Sequence, residues 1–595
     1  MNMPLKACSK ERCKWDSDLL LFWTLAIFFF LAKQWLVNIQ SLSVPGEAIH
    51  DEHLFARSAW WILSGNWLGP YDSLTLIKGP FYPLWIAAAN ILRLPLLFSQ
   101  HLLYAVACLA LILAVRPLAL GWKSLTLLFV VLLFNPMSFS GEIMPRVMRE
   151  GIYPALSMIS FAGAVGIYLR AGSSEHKVRL WVILLAIALP AFWLTREEGV
   201  WLLPGLFILH LGACGKWFAY FRLRHDKFVW KWLKTCGFSL GTPYFALILI
   251  LWLVAGLNHH YYGVFTVVEV KSEPFVSAYG ALSRVEQAEP ERYAAVPYEV
   301  RRQIYRVSPS FAEIEEHLDG AVGKKWIEVV CAPTRSLRDI DFDSDFYRYI
   351  DLINRACDDV SGGWFVWAFR ESVAATGYHE SALSAKRFYD RLAGEVNGLC
   401  EQNQLKCLSP RSTLRPPLYD IHLKAMLNSM LEATANLIFF KSFSPNLLPS
   451  TGSQEQIAFF SGIAGDNILH LDTDLSEVYQ SYRMTILRFI GHLYQSVTGL
   501  VLVLALLFGF YFYLFVDKNV ILKPFLIVFI SVVSVIFARI SLLSLVDVYS
   551  FPALSPQYLS PLYPFVIFLL AIMIRHIFNC TTKFMHKDIK YLEDK

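Results

Sequence analysis

Charge is scarce in this chain: 17% of its 595 residues are Asp, Glu, Lys or Arg, against 55% hydrophobic and 15% aromatic. Soluble domains carry about 25% charge, so a water-soluble enzyme is excluded. Cysteine is sparse as well, ten in all, too few for a disulfide scaffold. No Gly-rich phosphate loop occurs, which argues against an ATP-driven pump and against a nucleotide-sugar enzyme with a cytosolic Rossmann half. There is no solenoid repeat and no low-complexity tract. The formal net charge of +5 is too mild to point to nucleic acid.

What the chain has is apolar length. Mean hydropathy is +0.44, and runs approach the ~20 residues that cross a bilayer. The first, about 19–37, follows Lys6, Lys10, Arg12 and Lys14 and has no small-residue cleavage site after it, so it reads as an uncleaved span with a cytoplasmic N-terminus. Others lie near 98–119, 123–141, 151–169, 180–195, 199–214, 236–257, 486–515, 519–545 and 560–578. The expectation is a polytopic α-helical membrane protein with about ten transmembrane helices. An even count returns the C-terminus to the cytoplasm, and the basic loops around Arg170–Arg179 and Lys216–Lys234 agree with it. Two short apolar segments, His53 to Leu63 and Phe81 to Leu92, are expected as juxtamembrane helices in the first outer loop, 38–97.

Acid is concentrated in one block. Between His259 and Tyr482 fall 30 of the 48 acidic residues and 21 of the 53 Lys and Arg. This block is expected to be a mostly helical extracytoplasmic domain, 258–485, set between a transmembrane module, 1–257, and C-terminal helices with a cytoplasmic tail, 486–595. Cys331, Cys357, Cys400 and Cys407 lie in it and allow three pairings; Cys400 with Cys407 closes the shortest loop, and four free thiols remain the alternative.

Charges beside apolar anchors mark the candidate chemistry. The first outer loop carries His50-Asp51-Glu52-His53 and then Lys78-Gly79-Pro80-Phe81-Tyr82. A carboxylate at the membrane surface can take a proton from a hydroxyl, and a nearby lysine can neutralise a phosphate leaving group. The bland alternative for Asp51 and Glu52 is an N-cap and first-turn pair. His50 and His53 flank the acids, but adjacent residues rarely point at one ion, so a divalent metal is conceivable and not favoured. The second outer loop holds Glu142, Arg146, Arg149 and Glu150, where paired guanidiniums suit phosphate or snorkel to headgroups. Thr195-Arg196-Glu197-Glu198-Gly199 breaks two short apolar runs, and three charges there are expensive in lipid unless they line a polar cavity. Arg539 and Asp547, eight apart in one run, are on one helix face and open to pairing with each other.

These segments resemble the GT-C superfamily of integral membrane glycosyltransferases, in its bacterial form. Asp51-Glu52 looks like that family's first-loop acidic motif, and Lys78-Gly79-Pro80-Phe81-Tyr82-Pro83 resembles its Lys-x-Pro-x-Tyr segment. Thr195-Arg196-Glu197-Glu198-Gly199 is similar to its Thr-Arg-Pro-Glu-Gly hairpin, and Gln557-Tyr558-Leu559-Ser560-Pro561-Leu562-Tyr563-Pro564 to its late Arg-Tyr-x-x-Pro-x-Tyr-Pro segment, with Gln557 where Arg is usual. The resemblance implies a GT-C-like seven-span N-terminal module and a sugar donor linked to polyprenyl phosphate. It implies a carboxylate base carried to Asp51 first and Glu52 second. Lys78 and Arg196 take the donor phosphate, with Arg149 and Arg146 beside them; Tyr82, Glu197, Arg539 and Tyr558 are further cavity candidates. No cofactor is required.

The expected activity is therefore inverting transfer of a sugar to a glycan, lipid or protein hydroxyl on the periplasmic side of a bacterial inner membrane. Membrane lipids are partners and nucleic acid is not. Alternatives are a flippase or transporter of lipid-linked sugars, a surface-polysaccharide polymerase or ligase, and a receptor or scaffold. Trp326, Trp364, Phe365, Trp367 and Tyr378 of the acidic block are expected either to stack on acceptor sugars or to form its core.

Overall fold

The computed structural model describes residues 10–44, 51–118, 121–173, 175–223, 228–287, 294–328, 359–360, 362–414, 423–448, 450–468, 475–515 and 523–575. Among them, eight helices are long and apolar enough to cross a membrane: Ser17–Val37, Leu96–Leu118, His176–Thr195, Gly199–Arg222, Val229–Tyr262, Tyr482–Leu504, Pro524–Tyr549 and Pro556–Arg575. The chain is a multi-pass helical membrane protein. Of the ten expected crossings, two fall short of that standard for physical reasons. Trp122–Leu133 has only 12 residues, about 18 Å at 1.5 Å per residue. Tyr153–Arg170 has 18, but Ser, Gly, Ala and Tyr dilute its hydropathy, and 16 of the 18 are buried by protein rather than lipid. Small residues let this central helix pack closely: a Cβ on Gly166 would overlap the Trp181 ring of the next helix. The runs on either side of Thr195, expected to be marginal, are full-length helices of 20 and 24 residues.

The short helix Trp122–Leu133 stops because its end is capped from the first span. Buried Lys33 donates to Leu133 O at 2.9 Å and Ser138 Oγ at 2.6 Å, with its ammonium 4.7 Å above the Tyr104 ring. Terminal helix carbonyls carry partial negative charge and offset a buried cation.

Both segments expected as juxtamembrane helices are helical, Glu52–Leu63 and Phe81–Ile91, and pack on each other. In the acidic block a second hydrophobic core, about Phe275 to Leu405, is built on helices Glu273–Ser283 and Ala382–Glu401. The latter buries Ala385, Phe388, Tyr389, Leu392, Val396 and Cys400, the i, i+3, i+4 stripe of an amphipathic helix. Cys400 and Cys407 form a disulfide; Cys331 and Cys357 lie outside the described residues. Residues 423–468 pack with the membrane helices instead. Helix Leu423–Phe439 lies on Lys523–Tyr549 and Tyr482–Phe515, and helix Gln454–Ala464 covers both juxtamembrane helices. The stretch between is laced to the first two outer loops: Gln40 donates to Pro445 O at 3.1 Å, Gly141 N to Ser444 O at 2.8 Å, and Thr451 N to Val44 O at 3.0 Å.

Candidate functional site

At the bundle end where these loops meet, the charged segments of five stretches converge. Asp51 precedes helix Glu52–Leu63 in the N-cap position but makes no capping hydrogen bond. Its carboxylate is ion-paired with Lys78, so the capping explanation fails for this residue. Asp51 remains half-exposed, its side chain at 38%, while that of Lys78 is at 8%. Lys78 Nζ is also 5.0 Å from the Phe55 ring and 5.4 Å from that of Trp367. Burial, reinforced by Arg149, holds the Lys78 ammonium well below the usual lysine range although Glu150 and Glu197 pull the other way.

Glu52 differs from its neighbour. It is fully buried and accepts from Arg146 Nε at 2.6 Å, and burial pushes its carboxyl up more than Arg146 pulls it down. Arg146 is thus committed to Glu52 rather than standing beside Lys78 as a phosphate ligand. Arg149 pairs with Glu197 at 3.3 Å, and the other Glu197 oxygen accepts from Gly79 N at 2.8 Å. That contact needs glycine: a Cβ on Gly79 would overlap the Leu194 carbonyl oxygen. The hairpin at the end of helix Glu175–Thr195 is therefore tied directly to the Lys78 loop.

Arg196, buried, pairs with Glu150 at 2.5 Å and Glu198 at 3.0 Å. Desolvation opposes its charge, but Glu198 and Glu150 outweigh it and raise its pKa. Burial would raise the Glu198 carboxyl too; Arg196, Arg539 and Arg149 overcome this and hold it at about 2. Arg539, wholly buried, donates twice to Glu198 at 3.0 Å and once to Tyr558 O at 3.0 Å. Pairing of Arg539 with Asp547 does not occur: Asp547 accepts from Ser429 Oγ at 2.9 Å and from Ala553 N at 2.9 Å. The Tyr558 ring lies 5.1 Å from the Arg196 guanidinium. Gln557 reaches the Met148 sulfur at 3.9 Å.

No family model matches the chain, and no curated protein matches it. Among solved structures it is similar to two of ArnT from Cupriavidus metallidurans. The one bound to undecaprenyl phosphate is 14% identical with a TM-score of 0.29, covering 93% of this chain and 77% of that one. The apo structure is 12% identical with a TM-score of 0.29, covering 78% of this chain and 87% of that one.

The structure thus gathers Asp51, Glu52, Lys78, Arg146, Arg149, Arg196, Glu197 and Arg539 into neighbouring ion pairs, with the Tyr558 ring beside Arg196. Tyr82 is fully buried, its hydroxyl donating to Gln100 Oε1 at 3.0 Å, within the electrostatic reach of Glu150 and Glu52. His50 lies outside the described residues; His53 packs 6.0 Å from Phe459 and 6.1 Å from Phe460. Sequence reasoning missed buried Glu150 and partly exposed Glu198 as the counter-ions of Arg196, and Lys271, which binds the Glu197 carbonyl. Both acids lie in motifs already singled out, but adjacency would pair Glu150 with Arg149 and Arg196 with Glu197, and nothing in the sequence pointed to Lys271. Of the aromatic candidates, Trp326 and Phe365 are core, and Trp367 touches the Lys78 loop.

Proposed function

We propose that this protein is an inverting GT-C-type glycosyltransferase that moves a sugar from a polyprenyl-phosphate donor to a hydroxyl acceptor, on the extracytoplasmic face of a bacterial inner membrane. The observation that carries the reading is the pairing of an accessible carboxylate, Asp51, with a buried ammonium, Lys78, that lies within the electrostatic reach of Arg149 and Arg196. A base and a phosphate-binding cation then stand at one place. The cluster places the guanidiniums of Arg149, Arg196 and Arg539 and the Lys78 ammonium within one small region, and planar guanidiniums suit a lipid phosphate.

Donor phosphate takes Lys78 away from Asp51 and frees its carboxylate. Asp51 accepts the acceptor hydroxyl proton as the oxygen attacks the anomeric carbon. The bond from that carbon to the phosphate oxygen breaks, and the electron pair leaves with the phosphate, held by Lys78, Arg149 and Arg196. Attack opposite the leaving group inverts the anomeric centre. Glu52, locked to Arg146, holds the loop rather than taking the proton. No nucleotide or metal enters these steps. The acidic-block core, about Phe275 to Leu405, binds the acceptor, and the membrane helices hold the donor.

The test is sugar transfer by purified protein from a panel of radiolabelled polyprenyl-phosphate glycosides, comparing wild type with Asp51→Asn and Lys78→Ala. Turnover in wild type and loss in both variants supports the reading. No turnover with any donor, while lipid-linked sugars cross reconstituted bilayers, replaces it with a transporter.

A further inference from the structure

The loop that delivers Lys78 is held from the outer segment as well as from the membrane helices. Leu76, two residues before Lys78, has φ +59, a conformation disfavoured for a bulky side chain that persists only where surroundings impose it. Those surroundings are Glu269 and Arg370. Glu269 N donates to Leu76 O at 2.7 Å, and its carboxylate accepts from Tyr71 Oη at 2.8 Å. Arg370, 1% exposed, donates to that carboxylate at 2.6 Å and to Ser73 O through Nε at 3.0 Å and Nη2 at 2.9 Å.

Arg370 belongs to helix Gly362–Ala375. Trp364, Trp367 and Arg370 follow at i, i+3 and i+6, one face of that helix. Trp367 packs with Leu54, Leu74 and Ile77 and brings its ring to 5.4 Å from Lys78 Nζ. It is stacked at 6.0 Å on Trp326, which is stacked at 5.3 Å on Trp364. One helix face thus grips the loop backbone with a guanidinium and covers its lysine with an indole.

We infer that Trp367 and Arg370 are positioning residues that fix the place of the Lys78 ammonium and its separation from water, so that the outer segment completes the site. The function of that ammonium rests on the reading above; its dependence on Trp367 and Arg370 does not. The charged groups facing it are Asp51 on its own loop's partner helix start, Arg149 and Glu150 from the second loop, and Arg196 and Glu197 from the hairpin. With these unchanged, opening the indole cover lets water solvate the cation and raises its proton affinity.

The experiment is acylation of Lys78 by an amine-reactive ester as a function of pH, read by peptide mass spectrometry on the full-length protein in lipid nanodiscs. Trp367→Leu is expected to raise the plateau rate about tenfold and the pH midpoint by about one unit, a tenfold change in proton affinity. Trp367→Phe, which keeps a ring, should stay near wild type. Arg370→Gln should move both readouts the same way and speed amide exchange across 73–78, with Arg370→Lys between. Unchanged plateau and midpoint in folded Trp367→Leu overturn the inference; this variant decides alone if Arg370→Gln does not fold. Undecaprenyl phosphate titrated into the same nanodiscs separates the two claims. Wild type that fails to bind it, while Lys78 reactivity still follows Trp367, refutes the transferase reading and leaves the positioning role standing.

Discussion

The pairing of Asp51 with Lys78 separates a chemical from a structural role for each residue. Removing Lys78, as in Lys78→Ala, takes one preorganised donor from the departing phosphate. Such a donor is worth about 3–4 kcal/mol, so kcat should fall on the order of several hundred-fold, with weaker donor binding. Removing the base, as in Asp51→Asn, should cost about 10²–10⁴ in kcat. Its effect on donor binding has the opposite sign. Asp51 is half-exposed, so its hold on Lys78 is worth at most about 1 kcal/mol, and releasing it should tighten donor binding up to about fivefold. The assay is single-turnover transfer for kcat together with equilibrium titration of the donor. The reversal Asp51→Lys with Lys78→Asp completes the cycle: it restores an ion pair while exchanging base and cation. Recovery of activity in the reversed protein, or weaker donor binding in Asp51→Asn, would refute the assignment and leave a structural salt bridge.

Three further outcomes follow from the cluster. Arg146→Met strands the fully buried Glu52 carboxylate; thermal unfolding at fixed scan rate should show a loss of about 3–5 kcal/mol, largely relieved by adding Glu52→Leu. Gly79→Ala pushes the loop off the Leu194 carbonyl and its contact with Glu197, so donor binding should weaken while the outer segment, followed by the Cys400–Cys407 bridge, stays folded. Glu198 is held at about 2, below its ordinary value of 4.5. Its contribution to stability is therefore full above about pH 4.5 and lost as pH falls toward 2, and Glu198→Gln should flatten the acid limb of the unfolding profile over that window.

The membrane helices and both juxtamembrane helices are legible in the sequence because apolar runs and 3.6-residue periodicity are local signals. The pairs that make the site are not local. Arg539 has Asp547 two turns away on its own helix, the partner any one-dimensional reading offers, yet it binds Glu198, 341 positions earlier. Asp51 and Glu52 look interchangeable side by side, and only the fold buries one against Arg146 and leaves the other open beside Lys78. Trp367 is one of many aromatics in an acidic block, distinguished only when Leu54, Leu74 and Ile77 are found beneath it. Tyr82, singled out through a motif, has its hydroxyl on Gln100, a partner 18 positions away that the motif does not contain.

Arg539 also bears on how the chain is made. A lone arginine midway along Lys523–Tyr549 is a costly passenger for a helix entering lipid by itself. Its carboxylate partner, Glu198, belongs to a hairpin synthesised hundreds of residues earlier and already at the membrane when Arg539 leaves the ribosome. The carboxylate that Arg196 already holds also offsets the cost of Arg539, so the last third of the chain is matched to the first through one shared anion, and losing Glu198 would leave two buried arginines short of a counter-ion.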